Sequence, residues 1–281
     1  MTPNLLQLHL NNQLVDLSTP IVMGIVNVTP DSFFKGNRFI TDKAILQGVE
    51  KMLIEGAAII DIGGYSTRPS AEIITQEEEI RRVSEGLEVV LKKYPDVLTS
   101  VDTFRSGVVR HVVNNYHVAM INDISGGTLD DLMFETVADL QVAYVLMHTR
   151  GTPKTMQNNV HYEDVVSDVL SFLEKRLARL HLLGVNDVVI DPGFGFAKTL
   201  EQNYELLHKL EYFKQLNVPV LAGVSRKSMV SKLLGITANE ALNATTAANM
   251  LALIGGASIL RVHDVKEAMQ TIRIYKQYME V

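Results

Sequence analysis

Three carboxylates, two carboxamides and a small group of cations stand where short apolar runs stop: Asp61, Asp102 and Asp191; Asn27 and Asn122; Arg226 and Lys227 in Ser225-Arg226-Lys227-Ser228; and Arg261 with His263 in Arg261-Val262-His263. A carboxylate next to a carboxamide reads a guanidine-like edge, with donors on adjacent nitrogens, so this set suits a pterin or purine ring better than a sugar. Burying that many polar groups without partners would cost roughly 1–3 kcal/mol each, and a ligand rich in N–H donors satisfies them. The alternative for each Asp is a helix cap or an Asx turn, and Asp191 before Pro192-Gly193 suits such a turn. Two cations in one first helical turn oppose the helix dipole, so at least one of Arg226 and Lys227 should point inward at an acidic or electron-rich ligand. Gly223 and Ser225 give a tight turn there, whose backbone N–H groups suit an anion. Arg261 and His263, two residues apart on a strand, share a side and suit a phosphate or diphosphate; the competing arrangement pairs Arg261 with Asp264 and leaves His263 as a cap. Asn27 beside a diphosphate would offer a hard oxygen to Mg²⁺, which keeps most of its water and phosphate ligands.

These residues need a scaffold that gathers them. Eight apolar runs end near Asn27, Asp61, Asp102, Asn122, His148, Asp191, Ser225 and Arg261, at intervals of about 33 residues, the length of a strand, a helix and two loops. Ile21 to Val26 and Ala57 to Ile60 are apolar without alternation, as strands buried on both faces read. The spacing predicts an α/β fold, a (β/α)₈ TIM barrel whose chemistry sits at the C-terminal strand ends. Strands are expected near 21–27, 57–62, 97–102, 118–122, 142–147, 187–191, 218–223 and 257–261. Helices are expected over 42–55, 77–93, 105–116, 130–139, 161–183, 200–210, 227–234, 239–254 and 264–278. Glu77-Glu78-Glu79 reads as a helix start rather than a binding feature. Residues 1–20, with Asn11-Asn12 between two apolar stretches, predict an N-terminal β-hairpin lidding the barrel bottom, away from the chemistry.

Bulk properties agree with one domain over 1–281. Hydrophobic residues are 47% of the chain, ample for a core, and no linker or low-complexity tract interrupts it. A net charge of −6 leaves no general basic surface for nucleic acid, so an anion must be held by a few local cations. Without cysteine there are no disulfides, thiolate metal sites or cysteine nucleophiles. The start lacks the cationic region of a signal peptide and no apolar run approaches bilayer length, so a soluble, cytoplasmic protein without a membrane partner is expected. Neither a Walker motif, nor GxGxxG after the first strand, nor HExxH is present. Thr67-Arg68-Pro69 reads as the tip of a βα loop that could close over substrate.

Nine motifs in order, each at a strand end, resemble the dihydropteroate synthase family of pterin-binding enzymes. They are Met-Gly-Ile-Val-Asn-Val-Thr-Pro-Asp-Ser-Phe at 23–33, Asp-Ile-Gly-Gly at 61–64, Ser-Thr-Arg-Pro at 66–69, Ser-Val-Asp-Thr at 100–103, Ile-Asn-Asp-Ile at 121–124, Leu-Met-His at 146–148, Asp-Pro-Gly-Phe-Gly-Phe at 191–196, Ser-Arg-Lys-Ser at 225–228 and Arg-Val-His-Asp at 261–264. The resemblance implies a transferase of folate biosynthesis that joins 6-hydroxymethyl-7,8-dihydropterin diphosphate to 4-aminobenzoate, releasing diphosphate, with Mg²⁺ as cofactor and a homodimeric state. By the same resemblance Asp102, Asn122, Asp191 and Lys227 hold the pterin, with Met147 beside it and Asp61 supporting the site. Arg261 stacks on the pterin and, with His263 and Asn27, takes the diphosphate; Asn27 also meets Mg²⁺. Phe33, Thr67, Arg68, Pro69, Phe196, Lys227 and Ser228 form the aminobenzoate pocket, which sulfonamides mimic the substrate to enter. The chain departs from the usual pattern at Lys35, Tyr65 (where Glu is common), Ser70 and Ala197 (where Gly is common). Two other readings stay open here. A methyltransferase passing a folate methyl group to a corrinoid protein would share the barrel and the pterin acids but has no need of the Arg–His pair or Ser-Arg-Lys. A silent pterin-binding paralogue would tolerate Lys35.

Overall fold

The apolar runs pair as parallel strands and close on themselves. In the computed structural model, which describes residues 6–28, 38–66 and 73–280, the chain opens with strands β1 (Gln7–Leu10) and β2 (Gln13–Asp16). The barrel strands follow: β3 (Ile21–Asn27), β4 (Ile59–Gly63), β5 (Thr99–Asp102), β6 (Met120–Asp123), β7 (Ala143–Met147), β8 (Val188–Asp191), β9 (Leu221–Ala222) and β10 (Ile259–Val262). Between and after them run α1 (Arg38–Glu55), α2 (Gln76–Lys93), α3 (Ser106–Tyr116), α4 (Met133–Leu140), α5 (Val165–Leu182), α6 (Leu200–His208), α7 (Ser228–Leu234), α8 (Leu242–Ile254) and α9 (Val265–Met279). The strand order is β8-β7-β6-β5-β4-β3-β10-β9, and a parallel bridge between Ile190 and Val220 joins the two ends. This is the eight-stranded α/β barrel that the spacing predicts.

Strand alternation divides the core in two. Residues such as Val22, Ile60, Val101, Ile121, Leu146, Ile190 and Leu260 face outward and pack under the helices. Their neighbours Met23, Ile59, Met120, Val145, Val189, Leu221 and Ile259 fill the barrel from inside. The hairpin completes that inner core. Leu8, Leu10 and Leu17 are buried in it, and Asn11 makes the turn with φ +55°. The hairpin is pinned where the His9 N–H donates to Asp187 Oδ1 at 2.7 Å and Asn11 Nδ2 donates to the His117 carbonyl at 3.0 Å. It therefore stoppers the N-terminal end, opposite the polar strand ends, as expected.

The differences from the predicted boundaries have local causes. Pro219 has no N–H to give to a ladder, so the expected 218–223 strand shrinks to Leu221–Ala222, although the Pro219 carbonyl still accepts from the Ile190 N–H. Helix α5 begins at Val165 because Asp164 caps it, accepting the Ser167 N–H at 2.8 Å. The 239–254 helix starts at Leu242 after a short 3₁₀ turn over Ala238–Glu240, and α4 begins at Met133 after Asp130 has bridged the Leu132 and Ser106 N–H groups. None of the described helices is long and apolar enough to cross a membrane.

A stopper that carries no chemistry should matter for stability alone. Leu10→Ala should lower the free energy of unfolding in urea by about 2–4 kcal/mol, the usual cost of a buried leucine, while kcat and KM of the folded protein stay unchanged.

Candidate active site

All but one of the polar strand ends fall on the inner face at the C-terminal rim, because they share parity with the inner-core residues below them. Asn27 pairs in register with Gly63, Gly63 with Asp102, and Asp102 with Asn122, which makes one course of residues around the mouth. Met147 pairs with Asp191. Arg261 starts lower, level with Met23. Its long side chain crosses β3 to reach the two strands beyond. Nε donates to Asp61 Oδ2 at 2.7 Å, and Nη2 donates to Asp102 Oδ2 at 2.8 Å. Asn122 Nδ2 donates to the same Asp61 oxygen at 3.0 Å. Asp61 is fully buried, and its Oδ1 has no partner. Such an atom costs free energy until a donor arrives, so the cluster is built to receive an N–H or a water.

The far side of the mouth holds a second opposed pair. Asp191 accepts the Gly193 N–H on Oδ1 at 2.7 Å, so it makes the turn expected of an Asp before Pro-Gly and still presents Oδ2. That oxygen and Lys227 Nζ both lie within 4 Å of where a Cβ on residue 223 would be, so Gly223 leaves the gap between them open. Lys227 Nζ also donates to the Phe194 carbonyl and sits 4.6 Å above the Phe196 ring. Burial pulls Lys227 down to about 8, against the pull of Asp191. Burial raises Asp191, with Lys227 opposing. Asp102 is pushed up to about 7 by burial, with Arg261 acting the other way and Asp61 adding to the rise. The mouth therefore carries titratable groups poised near neutrality.

The two cations of Ser-Arg-Lys-Ser part company. Lys227 turns into the mouth. Arg226, at φ +54°, turns outward: Nε and Nη2 bind the Asp264 carboxylate at 2.7 and 2.9 Å, and Nη1 donates to the Ala238 carbonyl at 2.8 Å. Asp264 is thus claimed by Arg226, and Arg261 stays free for the inner acids. The backbone of this turn is only partly available to the anion expected from sequence. The Arg226 N–H is spent on Thr245 Oγ1 at 3.0 Å and the Lys227 N–H on the Val224 carbonyl at 3.3 Å. Side chains at the rim add to the groups open to an anion.

One such side chain is His263. Ser225 Oγ accepts the His263 backbone N–H at 3.2 Å and lies 3.0 Å from Nδ1. The hydroxyl proton is free to go to Nδ1, which leaves the ring proton on Nε2. Burial of the ring and the nearby Arg261, against Asp264, pull the imidazole down to about 4. The residue nevertheless keeps solvent-exposed surface, so an arriving anion can reach it and would reverse that shift. Asn27 is exposed at the rim, and Ser228 is exposed at the start of α7. Met147 is buried beneath the mouth. Phe33, Thr67, Arg68 and Pro69, with Lys35 and Ser70, lie outside the described residues.

Of the eight strand-end polar residues, His148 is the exception. It follows the inward-facing Met147, so it points out of the barrel, where its ring meets Phe172 edge to face at 4.9 Å and Lys198 Nζ at 3.0 Å. Sequence reasoning passed over Lys198, which is buried; a lone lysine closing the glycine-rich stretch 191–198 was its only signal. It also read Glu79 as one of three helix-start acids. Thr75 does cap α2, but Glu79 is wholly buried, accepting from Thr103 Oγ1 at 2.6 Å and Arg105 Nη1 at 2.7 Å. Arg105 then reaches the Ile74 carbonyl at 2.7 Å. Tyr65, in place of the usual Glu, lies against this arginine and meets Phe104 edge to face at 5.2 Å. Ala197 sits at φ +48°, the left-handed region that explains why glycine is common there.

A metal would find little protein coordination. Among the described residues no three acids or histidines group to hold one. The single amide of Asn27 fits an ion such as Mg²⁺ only if water and ligand oxygens supply the rest of its shell.

Comparison with known proteins agrees with this geometry. A family model described as "Pterin binding enzyme" matches residues 23–263. The dihydropteroate synthase of Haemophilus influenzae is 42% identical over 274 residues, covering 96% of this chain and 98% of that protein. The Yersinia pestis dihydropteroate synthase, solved as a complex with a sulfonamide drug, superposes with a TM-score of 0.90 at 37% identity, covering 98% of this chain and all of that one. The Xanthomonas albilineans enzyme, solved with 4-aminobenzoic acid, gives 0.90 at 38% identity over 99% of each chain.

The raised Asp102 sets a pH dependence of stability. Between its unfolded value of 3.8 and about 7 the folded protein holds a proton that the unfolded chain has lost. The resulting stabilisation is complete at the acid end and disappears as pH rises through about 7. Urea unfolding of the ligand-free protein at about pH 5 and about pH 8 should show a larger loss of stability for the wild type than for Asp102→Asn. Equal losses would remove the shift.

Proposed function

The chain belongs to the pterin-binding enzyme family and catalyses the dihydropteroate synthase reaction, and we propose a division of labour among its barrel-mouth residues. In that reaction the C–O bond to the diphosphate of 6-hydroxymethyl-7,8-dihydropterin diphosphate breaks. The amine of 4-aminobenzoate then attacks the methylene carbon, a C–N bond forms, and the amine gives up a proton. The observation that carries the assignment is the buried cluster of Asp61, Asn122 and Asp102 around Arg261, with Asp191 and Lys227 across the mouth.

The pterin enters this cluster with its N–H edge toward Asp191 and Asn122. Lys227 donates to a ring acceptor, Met147 packs beneath, and Arg261 stacks on the face. Loss of diphosphate leaves a cationic pterin methylene, and the fixed charges of Asp102 and Asp191 stabilise it electrostatically, as preorganised groups do in a water-poor site. Burial raises both carboxyl groups, the cost of holding charge there; a cation forming between them favours the ionised carboxylates. Arg261, His263 and Asn27 take the departing diphosphate. Mg²⁺, held by Asn27 and by phosphate oxygens, would supply further charge neutralisation to that leaving group. No strong general base is required, because an aromatic amine is already nucleophilic once aimed at the carbon.

Phe196, Lys227 and Ser228 form the described side of the aminobenzoate pocket, with Phe33, Thr67, Arg68 and Pro69 as the remainder. The Xanthomonas enzyme bound to 4-aminobenzoic acid supports this substrate, and the Yersinia complex supports sulfonamides as its mimics. The presence of Arg261, His263 and Lys227 in the mouth favours this reaction over methyl transfer to a corrinoid and over a silent paralogue. The protein works as one domain in the cytoplasm, as a homodimer. Support for the dimer comes from Leu233 and Leu234 on α7 and Leu251 and Ile254 on α8, which are all half exposed.

The direct test is diphosphate release by the purified protein from the pterin diphosphate, with and without 4-aminobenzoate. Release should be strongly stimulated by the amine and matched by dihydropteroate; release without that product rejects the assignment. Asp191→Asn should lower kcat by about 10²-fold with the far-ultraviolet circular dichroism unchanged. Lys227→Ala should weaken pterin binding by about tenfold or more, measured by calorimetry. In EDTA the turnover should fall and return with Mg²⁺; full activity in chelator removes the role of Asn27 as a metal ligand.

A further inference from the structure

The loop after β8, residues 192–197, has the Phe196 N–H donating to the Gly193 carbonyl at 3.1 Å and is otherwise held by side chains, among them Asp191 on the Gly193 N–H, Asn203 on the Gly195 N–H and Tyr162 on the Ala197 carbonyl. Gly193, Gly195 and Ala197 alternate in the left-handed region at φ +75°, +80° and +48°, so successive carbonyls point in different directions. Three of them are taken by two lysine side chains. Phe194 gives its carbonyl to Lys227, inside the mouth. Gly193 and Phe196 give theirs to Lys198, behind the loop, at 2.9 and 3.0 Å. Lys198 is only 4% exposed, and its third direction is filled by His148 Nδ1 at 3.0 Å. Two carbonyls and a ring nitrogen thus surround Nζ, and burial pulls both side chains toward their neutral forms: Lys198 well below its ordinary value, with Asp191 opposing, and the His148 ring, with Lys198 adding to the fall, down to about 2. The residues facing this lysine from the packed elements are Asp191 on β8, Lys227 beyond the loop and Arg150 after β7. There is little slack, since a Cβ on Gly193 would stand 2.0 Å from the His148 carbonyl oxygen and 3.2 Å from Lys198 Nζ.

We propose that Lys198 is a positioning residue for the second substrate: with the His148 ring nitrogen as its third partner, it clamps the 192–197 loop from behind, so that the Phe196 ring is seated beside Lys227 in the aminobenzoate site. This rests on the assignment of Phe196 and Lys227 to that pocket made above. The consequence is selective. Lys198 lies outside the barrel, behind the loop, and makes no hydrogen bond to Asp61, Asp102, Asn122 or Arg261; it reaches the pterin residues only through its charge on Asp191 and through the loop that holds Lys227, so the larger effect of its loss falls on the Phe196 side.

The test compares steady-state constants and thermal midpoints for four variants. Lys198→Met, which keeps length and loses the Nζ donor group, should raise KM for 4-aminobenzoate by about tenfold and move KM for the pterin diphosphate by less than about threefold. His148→Leu, which removes the acceptor, should show the same selective rise. His148→Asn, whose amide oxygen can accept from the lysine, should restore KM toward wild type; a role in bulk stability alone would not separate the Asn from the Leu variant in this way. Should Lys198→Met not fold, the two His148 variants decide the question by the same criterion. Phe196→Ala separates the two levels of inference. If it raises KM for 4-aminobenzoate while Lys198→Met and His148→Leu do not, the clamp is wrong and the pocket stands. If Phe196→Ala has no effect on that KM, the pocket assignment falls and the clamp with it. Equal rises in both KM values for Lys198→Met also overturn the proposal.

Discussion

One guanidinium makes the barrel mouth possible. Arg261 binds Asp61 and Asp102 at once, from a strand two and three places away around the barrel. Two buried carboxylates this close would otherwise repel each other and shed a charge by taking up a proton. A shared cation keeps them available as acceptors. The geometry depends on shear: because Arg261 is in register with Met23, four residues below Asn27, its side chain has the height to cross β3 and arrive beside β4 and β5. Breaking a buried pair of this kind typically costs about 3–5 kcal/mol, since the surviving partner is left charged and unsolvated.

The cluster is nevertheless left incomplete. Asp61 Oδ1 has no donor, Asp102 is held on the edge of protonation, and Gly63 and Gly223 place no side chain where one would narrow the mouth. A protein optimised for stability alone would fill these gaps. Their persistence here is the signature of a site whose partners come with the substrate: ring N–H groups for the acids, and a cationic carbon in the transition state between them. The mouth thus uses the same charges twice, first to orient the heterocycle and then to stabilise what remains when diphosphate leaves.

Around this centre the loops are secured from outside the barrel. Arg226 ties the turn after β9 to Asp264 and to the approach to α8; Glu79 and Arg105 fasten the segment at Ile74; Lys198 and His148 back the loop after β8. In each case a buried or half-buried charge binds backbone carbonyls that irregular loops cannot satisfy by themselves. The same economy explains the split roles in Ser-Arg-Lys-Ser. Arg226 braces the outside with a planar fork suited to a carboxylate, and Lys227 presents a point charge to the inside.

Much of this was legible in the sequence. The apolar runs and their spacing determined the barrel, because strands buried on both faces leave no alternation and a repeated strand–helix unit leaves a period. The polar residue closing each run then had to lie at the rim, and the inward placement of Asn27, Asp61, Asp102, Asn122, Asp191 and Arg261 follows from their parity with the inner-core residues below them. Direction was not legible where it depended on one residue of parity or on rotation about φ. His148 is one position past an inward-facing methionine and so points out; Arg226 and Lys227 are adjacent and diverge because Arg226 adopts a left-handed backbone. Nor could the sequence show partners that meet only in space, such as Arg261 with Asp61, separated by 200 residues, or Lys198 with His148, separated by 50. Local chain order determines which residues reach the rim; only closure of the barrel, with its shear and its packed outer layer, decides which charges meet there.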